Sequence, residues 1–345
     1  MPTNKLLHRV VVFIAIVSPL AGQVATPSPA PLGKLVDVGG YQLHLHCTGQ
    51  GSPTVVFENG SADFSFVWDL VQPEVSKFTR ACSYDRAGSA WSDPGPLPRS
   101  FEQINLELHT ALQKAGIRGP YVLVGQSYGG FVVRAFAEKY KSEVVGVVLV
   151  DAAHENERIM MQGKVVRIRE MAKGATLPRP RLRLNDAEKK QYAELRQKPA
   201  EAGPTAVEPP LDKLSTEDQK AELWAIVQPF LPIAVGSELD SSQEEIAVWY
   251  SAKKISTTPL GDISLVVISR GEGGYPDTPE VSGKQLDQER REEQAELTHL
   301  SRNSKQIIAE HSGHNIHLED PALVVQAIHA VVDAARGKRK LAVGR

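Results

Sequence analysis

A serine between two glycines, set between an apolar segment and a helix-like segment, restricts the fold of this chain more than any other feature. Residues 121–124, Tyr-Val-Leu-Val, have the composition of a buried strand, and residues 125–129, Gly-Gln-Ser-Tyr-Gly, fit the pattern G-x-S-x-G. A Cβ two positions to either side of the serine would clash in so sharp a turn, which explains both glycines. We therefore expect a strand, a sharp turn and a helix, with Ser127 at the helix N-terminus, where free N–H groups stabilise negative charge.

Short apolar segments alternate with helical segments over much of the chain. After a hairpin of two strands around Gly39-Gly40, further strands are expected at residues 53–58, 80–84, 121–124, 144–150, 263–269 and 305–309. Between them, residues 101–115 carry apolar side chains at three- and four-residue spacing, which is typical of an amphipathic helix. Continuous apolar strands separated by helices predict an α/β fold with a mostly parallel central sheet and helices on both faces.

Residues 152–258 interrupt this alternation. They are charged and helical in pattern, with a Pro-rich centre at 178–210 and predicted helix starts at Ser215 and Ser241. An insertion between two sheet strands would lie over their C-terminal ends, where open α/β sheets bind ligands, so we interpret it as a helical cap. Three aromatic residues of the cap are candidates either for lining a pocket or for packing within the cap: Trp224, Trp249 and Tyr250.

The N-terminal residues have the layout of a secretory signal. Charged residues precede an apolar run at 10–17, and small or polar residues follow it. This pattern predicts a signal peptide over 1–25 and a Pro-rich linker over 26–33, followed by the α/β domain over 34–345. The expected location is secreted or periplasmic, with no stable membrane span after cleavage, because the apolar run is short; an uncleaved anchor is the alternative.

Composition argues against several kinds of partner. The 345 residues carry a formal net charge of −2, which favours neither nucleic acid nor an anionic membrane. No glycine-rich phosphate loop follows the first strand, and His44 and His46 have no further ligand at metal-binding spacing. We therefore expect no cofactor and no metal.

The two cysteines, Cys47 and Cys82, are either a disulfide, as export would favour, or two buried thiols.

Several short motifs occur in an order that identifies a family. The span 34–335 resembles the α/β-hydrolase superfamily, and within it the chain is similar to an often exported bacterial group of serine hydrolases. The motifs that carry the resemblance are Tyr-Asp-Arg-Ala-Gly at 84–88, Gly-Gln-Ser-Tyr-Gly-Gly at 125–130, Val-Leu-Val-Asp at 148–151 and Ser-Gly-His at 312–314. The resemblance also implies that the strands carrying Cys47 and Cys82 are neighbours, which would make a disulfide geometrically feasible.

The resemblance implies a catalytic serine, its base and two oxyanion donors. The serine is Ser127, the base is His314, and the donors are the backbone N–H groups of Ser61 and Tyr128. His311 and His317 are close to His314 in sequence and are alternatives for the base. Many relatives have a histidine-glycine pair before the second donor, whereas this chain has an asparagine-glycine pair, so the geometry of that donor departs from the family pattern.

The third member of the triad is ambiguous in sequence. Many family members place an aspartate directly after the strand that here ends at Ser269, but no aspartate stands there. We refer to the sharp turn at residues 125–129 as the elbow. Asp151 ends the strand that follows the helix after the elbow. Some relatives use this position for the acid, and it is our preferred candidate. Glu272 and Asp277 remain alternatives. Glu58, next to the predicted oxyanion donors, is a further concern because an unpaired charge there would oppose catalysis.

The sequence therefore predicts an exported serine hydrolase acting on a small-molecule ester or amide. Ester hydrolysis through an acyl-enzyme is the expected chemistry. A peptidase or an acyltransferase on the same fold is an alternative, and so is a non-catalytic binding protein that has kept the fold, since fold alone does not establish function.

Overall fold

The structure is a computed structural model that describes residues 28–161, 164–198, 203–252, 258–337 and 339–341. The predicted signal peptide, residues 1–25, lies outside the described residues. Strands occur, in chain order, at β1 Lys34–Asp37, β2 Gln42–Thr48, β3 Thr54–Glu58, β4 Ala81–Tyr84, β5 Tyr121–Gln126, β6 Val144–Val150, β7 Arg158–Met161, β8 Lys164–Arg167, β9 Ser264–Arg270 and β10 Ser304–Ala309.

The α-helices alternate with the strands, as the sequence predicts. In chain order they are α1 Gln72–Ser76, α2 Phe101–Lys114, α3 Gly129–Lys139, α4 Asp186–Leu195, α5 Thr216–Ala225, α6 Leu231–Ala252, α7 Gly283–Leu297, α8 Ile316–Glu319 and α9 Pro321–Gly337. The helix predicted at 101–115 is confirmed as α2, and Ser100 caps it by accepting a hydrogen bond from the Gln103 N–H.

Eight strands form one sheet in the order β1-β2-β4-β3-β5-β6-β9-β10. The first three pair antiparallel, and every pair from β4–β3 to β9–β10 is parallel. The mostly parallel sheet and the hairpin at Gly39-Gly40 are thus confirmed. Because parallel strands end at a common edge, the residues that follow β3, β5, β6 and β10 meet at the C-terminal edge of the sheet.

The sheet is covered by helices on both faces because its central strands are apolar on both sides. In β5, Val122 and Val124 lie in a core cluster with Ile328 and Val331 of α9. Leu123 belongs to the opposite cluster, which contains Leu108 and Leu112 of α2. This alternation follows from the two-residue period of a strand and explains why the sequence shows continuous apolar runs.

Between β6 and β9 the described residues add no strand to the central sheet. We refer to 152–258 as the cap segment. It contains α4, α5 and α6, and also the antiparallel hairpin β7–β8, which the helical sequence pattern did not predict.

One predicted helix start in the cap segment is wrong. Ser215 is the N-cap of α5, as expected, and accepts a hydrogen bond from the Asp218 N–H at 3.1 Å. Ser241 lies instead in the middle of α6, where its hydroxyl donates to the Ser237 carbonyl at 2.6 Å. A serine can satisfy its hydroxyl within a helix through the carbonyl four residues earlier, so it does not always mark a helix start.

The two cysteines form a disulfide between neighbouring strands. Cys47 of β2 and Cys82 of β4 are direct partners in the antiparallel register, with Cα atoms 4.1 Å apart. The pairing that the sequence left open is therefore a bridge rather than two thiols. Of the helices that the structure describes, none combines the length and the apolar character needed to cross a bilayer.

Candidate active site

Ser127 lies in a strained turn at the C-terminal end of β5. Its φ is +51°, in the left-handed region, and its carbonyl accepts hydrogen bonds from the N–H groups of Gly130 at 3.0 Å and Ala153 at 2.9 Å. A Cβ on Gly125 would lie 2.5 Å from the Gly129 carbonyl oxygen, and one on Gly129 would lie 2.6 Å from the Asn59 carbonyl oxygen. The turn therefore requires both glycines of the G-x-S-x-G motif.

The loop after β10 brings His314 to the same sheet edge. Its Nδ1 lies 2.6 Å from Oδ2 of Asp151, the residue that follows β6. On its other side, Nε2 of the ring lies 3.3 Å from Nε2 of Gln126, the residue directly before Ser127. The structure thus places a histidine between a buried carboxylate and the elbow, which is the arrangement in which a carboxylate orients a general base.

Asp151 is fully buried and surrounded by positive charge. The Arg290 guanidinium on α7 lies 3.3 Å from Oδ2 through Nη2, and the same nitrogen donates to the Asp151 carbonyl at 2.7 Å. Burial raises the pKa of the Asp151 carboxyl, but the charge of Arg290 and the hydrogen bond from His314 outweigh it, so the pKa lies below its usual range. Arg290 carries no sequence signal, since it is one of several charged residues on an amphipathic helix.

The other candidates for acid and base lie elsewhere. Among the carboxylates that the structure describes, Asp151 is the one hydrogen-bonded to His314. Glu272 is exposed, and Asp277 accepts a hydrogen bond from the Gly283 N–H at 2.8 Å.

The two alternative histidines differ from His314 in environment. His311 is exposed to solvent. His317 is buried against Trp68, with ring centroids 4.8 Å apart, and burial together with the charge of His314 lowers its pKa to about 3. A histidine that stays neutral in an apolar contact is suited to packing rather than to proton transfer.

Two backbone N–H groups are available next to the elbow. Within the described part of the chain, neither the N–H of Tyr128 nor that of Ser61 donates a hydrogen bond. Tyr128 precedes the first turn of α3, so its N–H belongs to the group of free donors at a helix N-terminus. These are the two positions that the resemblance assigns as oxyanion donors, and both are free to bind an oxygen of a ligand.

The charge of Glu58 is neutralised. Its carboxylate accepts hydrogen bonds from Nη1 of Arg86, at 2.8 Å, and from the Tyr84 hydroxyl, and the Glu58 and Arg86 side chains are almost completely buried. A buried carboxylate paired in this way does not present an uncompensated charge to the neighbouring loop.

Three polar side chains, two of them near His314, were not predicted from sequence. The Oε1 atom of Gln126 is buried and has no hydrogen-bond partner among the described residues. Asp63, close enough to feel the charge of His314, has a pKa raised to about 6 by burial, although the charges of Arg86 and His314 oppose the rise. Glu222 of α5 lies close enough to Asp63 to feel its charge, and burial together with that charge raises the pKa of Glu222 to about 8.

In the Glu222→Gln variant, the free energy of unfolding is expected to fall less steeply as the pH rises. With a folded-state pKa of about 8 against a usual value of 4.5, the folded protein holds a proton that the unfolded chain has released between these pH values. Glu222 therefore contributes a fall in unfolding free energy of about 1.4 kcal/mol per pH unit over that window. Urea unfolding at pH 5, 6.5 and 8 should show a shallower decline for the variant. Glu217→Gln, an exposed residue on the same helix, is the control; parallel pH profiles for wild type and Glu222→Gln would contradict the prediction.

Of the three candidate aromatic residues of the cap segment, two contact the rest of the molecule and one contacts the cap segment itself. Trp224 lies 5.7 Å from Trp91 between ring centroids and belongs to the main core cluster. Trp249 stacks on Phe101 of α2 at 5.3 Å. The ring of Tyr250 lies under the Arg169 guanidinium, 4.3 Å from its centroid. These contacts favour packing over pocket lining. No group of three metal-ligating side chains occurs in the described ranges.

The order of strands, the elbow and the cap segment together define an α/β-hydrolase fold. The profile described as "Alpha/beta hydrolase family" matches residues 43–327, which is most of the chain. The chain therefore belongs to the alpha/beta hydrolase family.

Its sequence relatives include proteins of very different length. Over 303 residues it is 25% identical to the uncharacterized protein YqjL of Bacillus subtilis, covering 88% of this chain and 92% of that protein. Over 129 residues it is 33% identical to the probable transporter efuK of Hormonema carpetanum, covering 35% of this chain and 18% of that protein. The matched region is thus less than a fifth of the length of the efuK protein.

Solved structures of low sequence identity share the fold. Wild-type Cfl2 from Burkholderia cenocepacia has a TM-score of 0.60 at 18% identity, with 87% of this chain and 95% of that chain covered. A thermophilic esterase from Thermogutta terrifontis has a TM-score of 0.56 at 18% identity, with 88% of this chain and 98% of that chain covered. At such identities the likeness establishes the fold alone.

Proposed function

We propose that this protein is a serine hydrolase that cleaves carboxylic esters through a Ser127–His314–Asp151 triad and an acyl-enzyme. The observation that carries the proposal is the 2.6 Å hydrogen bond between His314 Nδ1 and the buried Asp151, at the sheet edge where Ser127 occupies a strained turn. A structural histidine would not need a buried carboxylate on one side and the elbow on the other.

In the first half of the reaction, the Ser127 hydroxyl attacks the ester carbonyl carbon while His314 Nε2 takes its proton. The carbonyl oxygen becomes an oxyanion, which the free N–H groups of Ser61 and Tyr128 would bind. His314 then gives the proton to the leaving alcohol oxygen, and the carbon–oxygen bond of the ester breaks. The acyl group remains on Ser127.

In the second half, water replaces the alcohol. His314 takes a proton from the water as its oxygen attacks the acyl carbon, and a second oxyanion forms in the same site. Collapse of this intermediate releases the carboxylic acid and returns the proton to Ser127. Asp151 stays ionised throughout, because its pKa lies below its usual range, and stabilises the imidazolium formed in each half.

Export is part of the proposal. The layout of residues 1–31 is that of a secretory signal, and the bridge between Cys47 and Cys82 supports an oxidising compartment, where disulfides persist. We favour an ester over an amide because the described residues carry no feature that indicates a peptide-binding groove. The bacterial exported group that the sequence resembles fits the same proposal.

The test is a substrate panel combined with an active-site probe. The purified protein should hydrolyse at least one p-nitrophenyl ester in a series of increasing acyl length, and a fluorophosphonate probe should label it covalently. Prior incubation with a good substrate should slow labelling, since both compete for Ser127. Absence of both labelling and hydrolysis would defeat the proposal in favour of a binding protein. Labelling with turnover of amides but not of esters would replace ester hydrolysis with peptidase or amidase chemistry.

A further inference from the structure

Arg86, in the loop after β4, is bonded to the loop that carries one of the proposed oxyanion donors. The side chain is 1% exposed. Its Nη1 donates to the Asn59 carbonyl at 2.9 Å and its Nη2 donates to the Gly60 carbonyl at 2.7 Å. Two consecutive carbonyls are therefore held by one rigid guanidinium, whose planar fork loses little freedom for each bond it forms.

The bond to Gly60 determines where the next N–H group points. The Gly60–Ser61 peptide is trans, since the cis bonds of the described chain all precede prolines. In a trans peptide the C=O and the following N–H lie in one plane and point in opposite directions. With the Gly60 oxygen fixed on Arg86, the Ser61 N–H is directed away from Arg86. A hydrogen bond to a charged donor also polarises the peptide, which strengthens its N–H as a donor.

The same guanidinium is bonded to the cap segment. Its Nε donates to Oε1 of Glu238, on α6, at 2.9 Å across 152 residues of sequence. The Glu238 side chain is also 1% exposed, so this ion pair is shielded from water and sensitive to geometry. Arg86 therefore joins the oxyanion loop directly to the cap segment.

We propose that Arg86 is a positioning residue for the oxyanion donor of Ser61. We also propose that Glu238 makes the orientation of this N–H depend on whether α6 of the cap is in contact with Arg86. The inference rests on the proposed function, because it assigns a role within the same oxyanion hole. When α6 is in contact with Arg86, Glu238 and Glu58 bind the guanidinium from two sides, and its hydrogen bonds to Asn59 and Gly60 fix the oxyanion loop. When α6 moves away, the guanidinium loses one of its two carboxylate partners and the loop loses its fixed orientation.

The consequence is a hydrolase whose transition-state stabilisation is complete only under a closed cap. The oxyanion of a substrate that fits beneath the cap would then be bound by both N–H donors. The oxyanion of a substrate that separates α6 from Arg86 would be bound less well, because the Ser61 N–H would no longer be oriented. Specificity would thus appear in kcat, because the affected interaction is made only with the oxyanion.

The matched pair of variants is Glu238→Ala and Glu245→Ala. Both residues lie on α6 and both join it to the rest of the protein, but Glu245 accepts hydrogen bonds from the N–H groups of Phe101 and Glu102, at 2.7 and 3.3 Å, instead of contacting Arg86. Loss of an oxyanion donor lowers kcat by about 10²- to 10³-fold, so a misdirected donor in Glu238→Ala should lower kcat by about 10- to 100-fold with little change in KM. Glu245→Ala should keep kcat near the wild-type value. Glu238→Gln, which keeps an acceptor but no charge, should lie between wild type and Glu238→Ala.

A second readout separates positioning from a loss of folded protein. An aryl trifluoromethyl ketone adds to the Ser127 oxygen and forms a tetrahedral oxyanion, so its affinity reports on the hole. Its Ki should weaken in Glu238→Ala by the same factor as kcat/KM falls. A residue with a structural role alone would lower the thermal midpoint and leave Ki of the folded enzyme unchanged.

The outcomes are distinguishable from those that test the hydrolase itself. An active wild-type enzyme with equal kcat and Ki values in the Glu238→Ala and Glu245→Ala variants would overturn the coupling while leaving the triad intact. A wild-type protein that neither hydrolyses esters nor binds the ketone would defeat the proposed function and the inference together.

Discussion

Replacement of Asp151 by asparagine is expected to lower kcat about 10⁴-fold, because the amide cannot hold His314 in the required tautomer or stabilise its imidazolium form. In the folded protein the carboxylate lies 2.6 Å from His314 Nδ1, and Arg290 and Arg270 keep it ionised. Steady-state kinetics on the best ester of the panel would measure the change. Most of the loss should appear in kcat, since the imidazolium forms during the reaction and not on binding.

The controls for this prediction are the two other carboxylates considered from sequence. Glu272→Gln and Asp277→Asn should retain kcat close to wild type, because the structure places neither side chain on His314. Asp151→Asn also leaves the buried Arg290 without one of its partners, so a lower thermal midpoint is expected and should be recorded separately from kcat. A variant at Asp151 with near-normal turnover, together with a large loss at Glu272 or Asp277, would contradict the assignment.

Ser127→Ala is expected to abolish covalent labelling by a fluorophosphonate and to lower kcat by about 10⁶-fold. Removal of the hydroxyl leaves no atom to attack the carbonyl, while the oxyanion donors and the binding site remain. The substitution keeps the Cβ and its φ of +51°, so the fold of the elbow should be preserved. Labelling is read by intact-protein mass spectrometry and turnover by release of p-nitrophenol.

The matched control for the elbow is Ser264→Ala. Ser264 is buried, whereas Ser127 is partly exposed, and it begins β9 at the opposite edge of the parallel sheet, where it accepts a hydrogen bond from Asn303 Nδ2 at 3.0 Å. This variant should label and turn over like wild type. Should Ser127→Ala remain labelled, the reactive residue is a different one and the triad must be reassigned.

Most of the fold was predictable because it follows from local patterns. Continuous apolar runs such as 144–150 indicate strands buried on both faces, and the register of the sheet then brings their ends to one edge. The cap segment was less predictable. The strands of the hairpin β7–β8 show no strong alternation of apolar and polar residues. The residues from Ser241 onward resemble a helix start, but Ser241 lies within α6, which begins ten residues earlier at Leu231.

The residues of the candidate site also differ in whether the sequence indicates them. The elbow around Ser127 and the loop around His314 have short motifs, so sequence indicates both. The acid does not, because three carboxylates lie in loops at suitable places along the chain: Asp151, Glu272 and Asp277. The structure brings Asp151 to His314 across 163 residues. Its partner Arg290 could not be found from sequence, since it shares its helix with other charged residues.

By itself, the sequence indicated the strand–turn–helix at Ser127, because an apolar strand, a serine with glycines two positions to either side and a helical pattern are all adjacent in the chain. The tertiary structure alone decided which buried charges meet. Arg86 bonds to Glu58 and Glu238, and Asp151 bonds to His314 and Arg290. These pairings join residues far apart in the chain, and burial makes their geometry strict because an unpaired charge inside a protein is strongly destabilising.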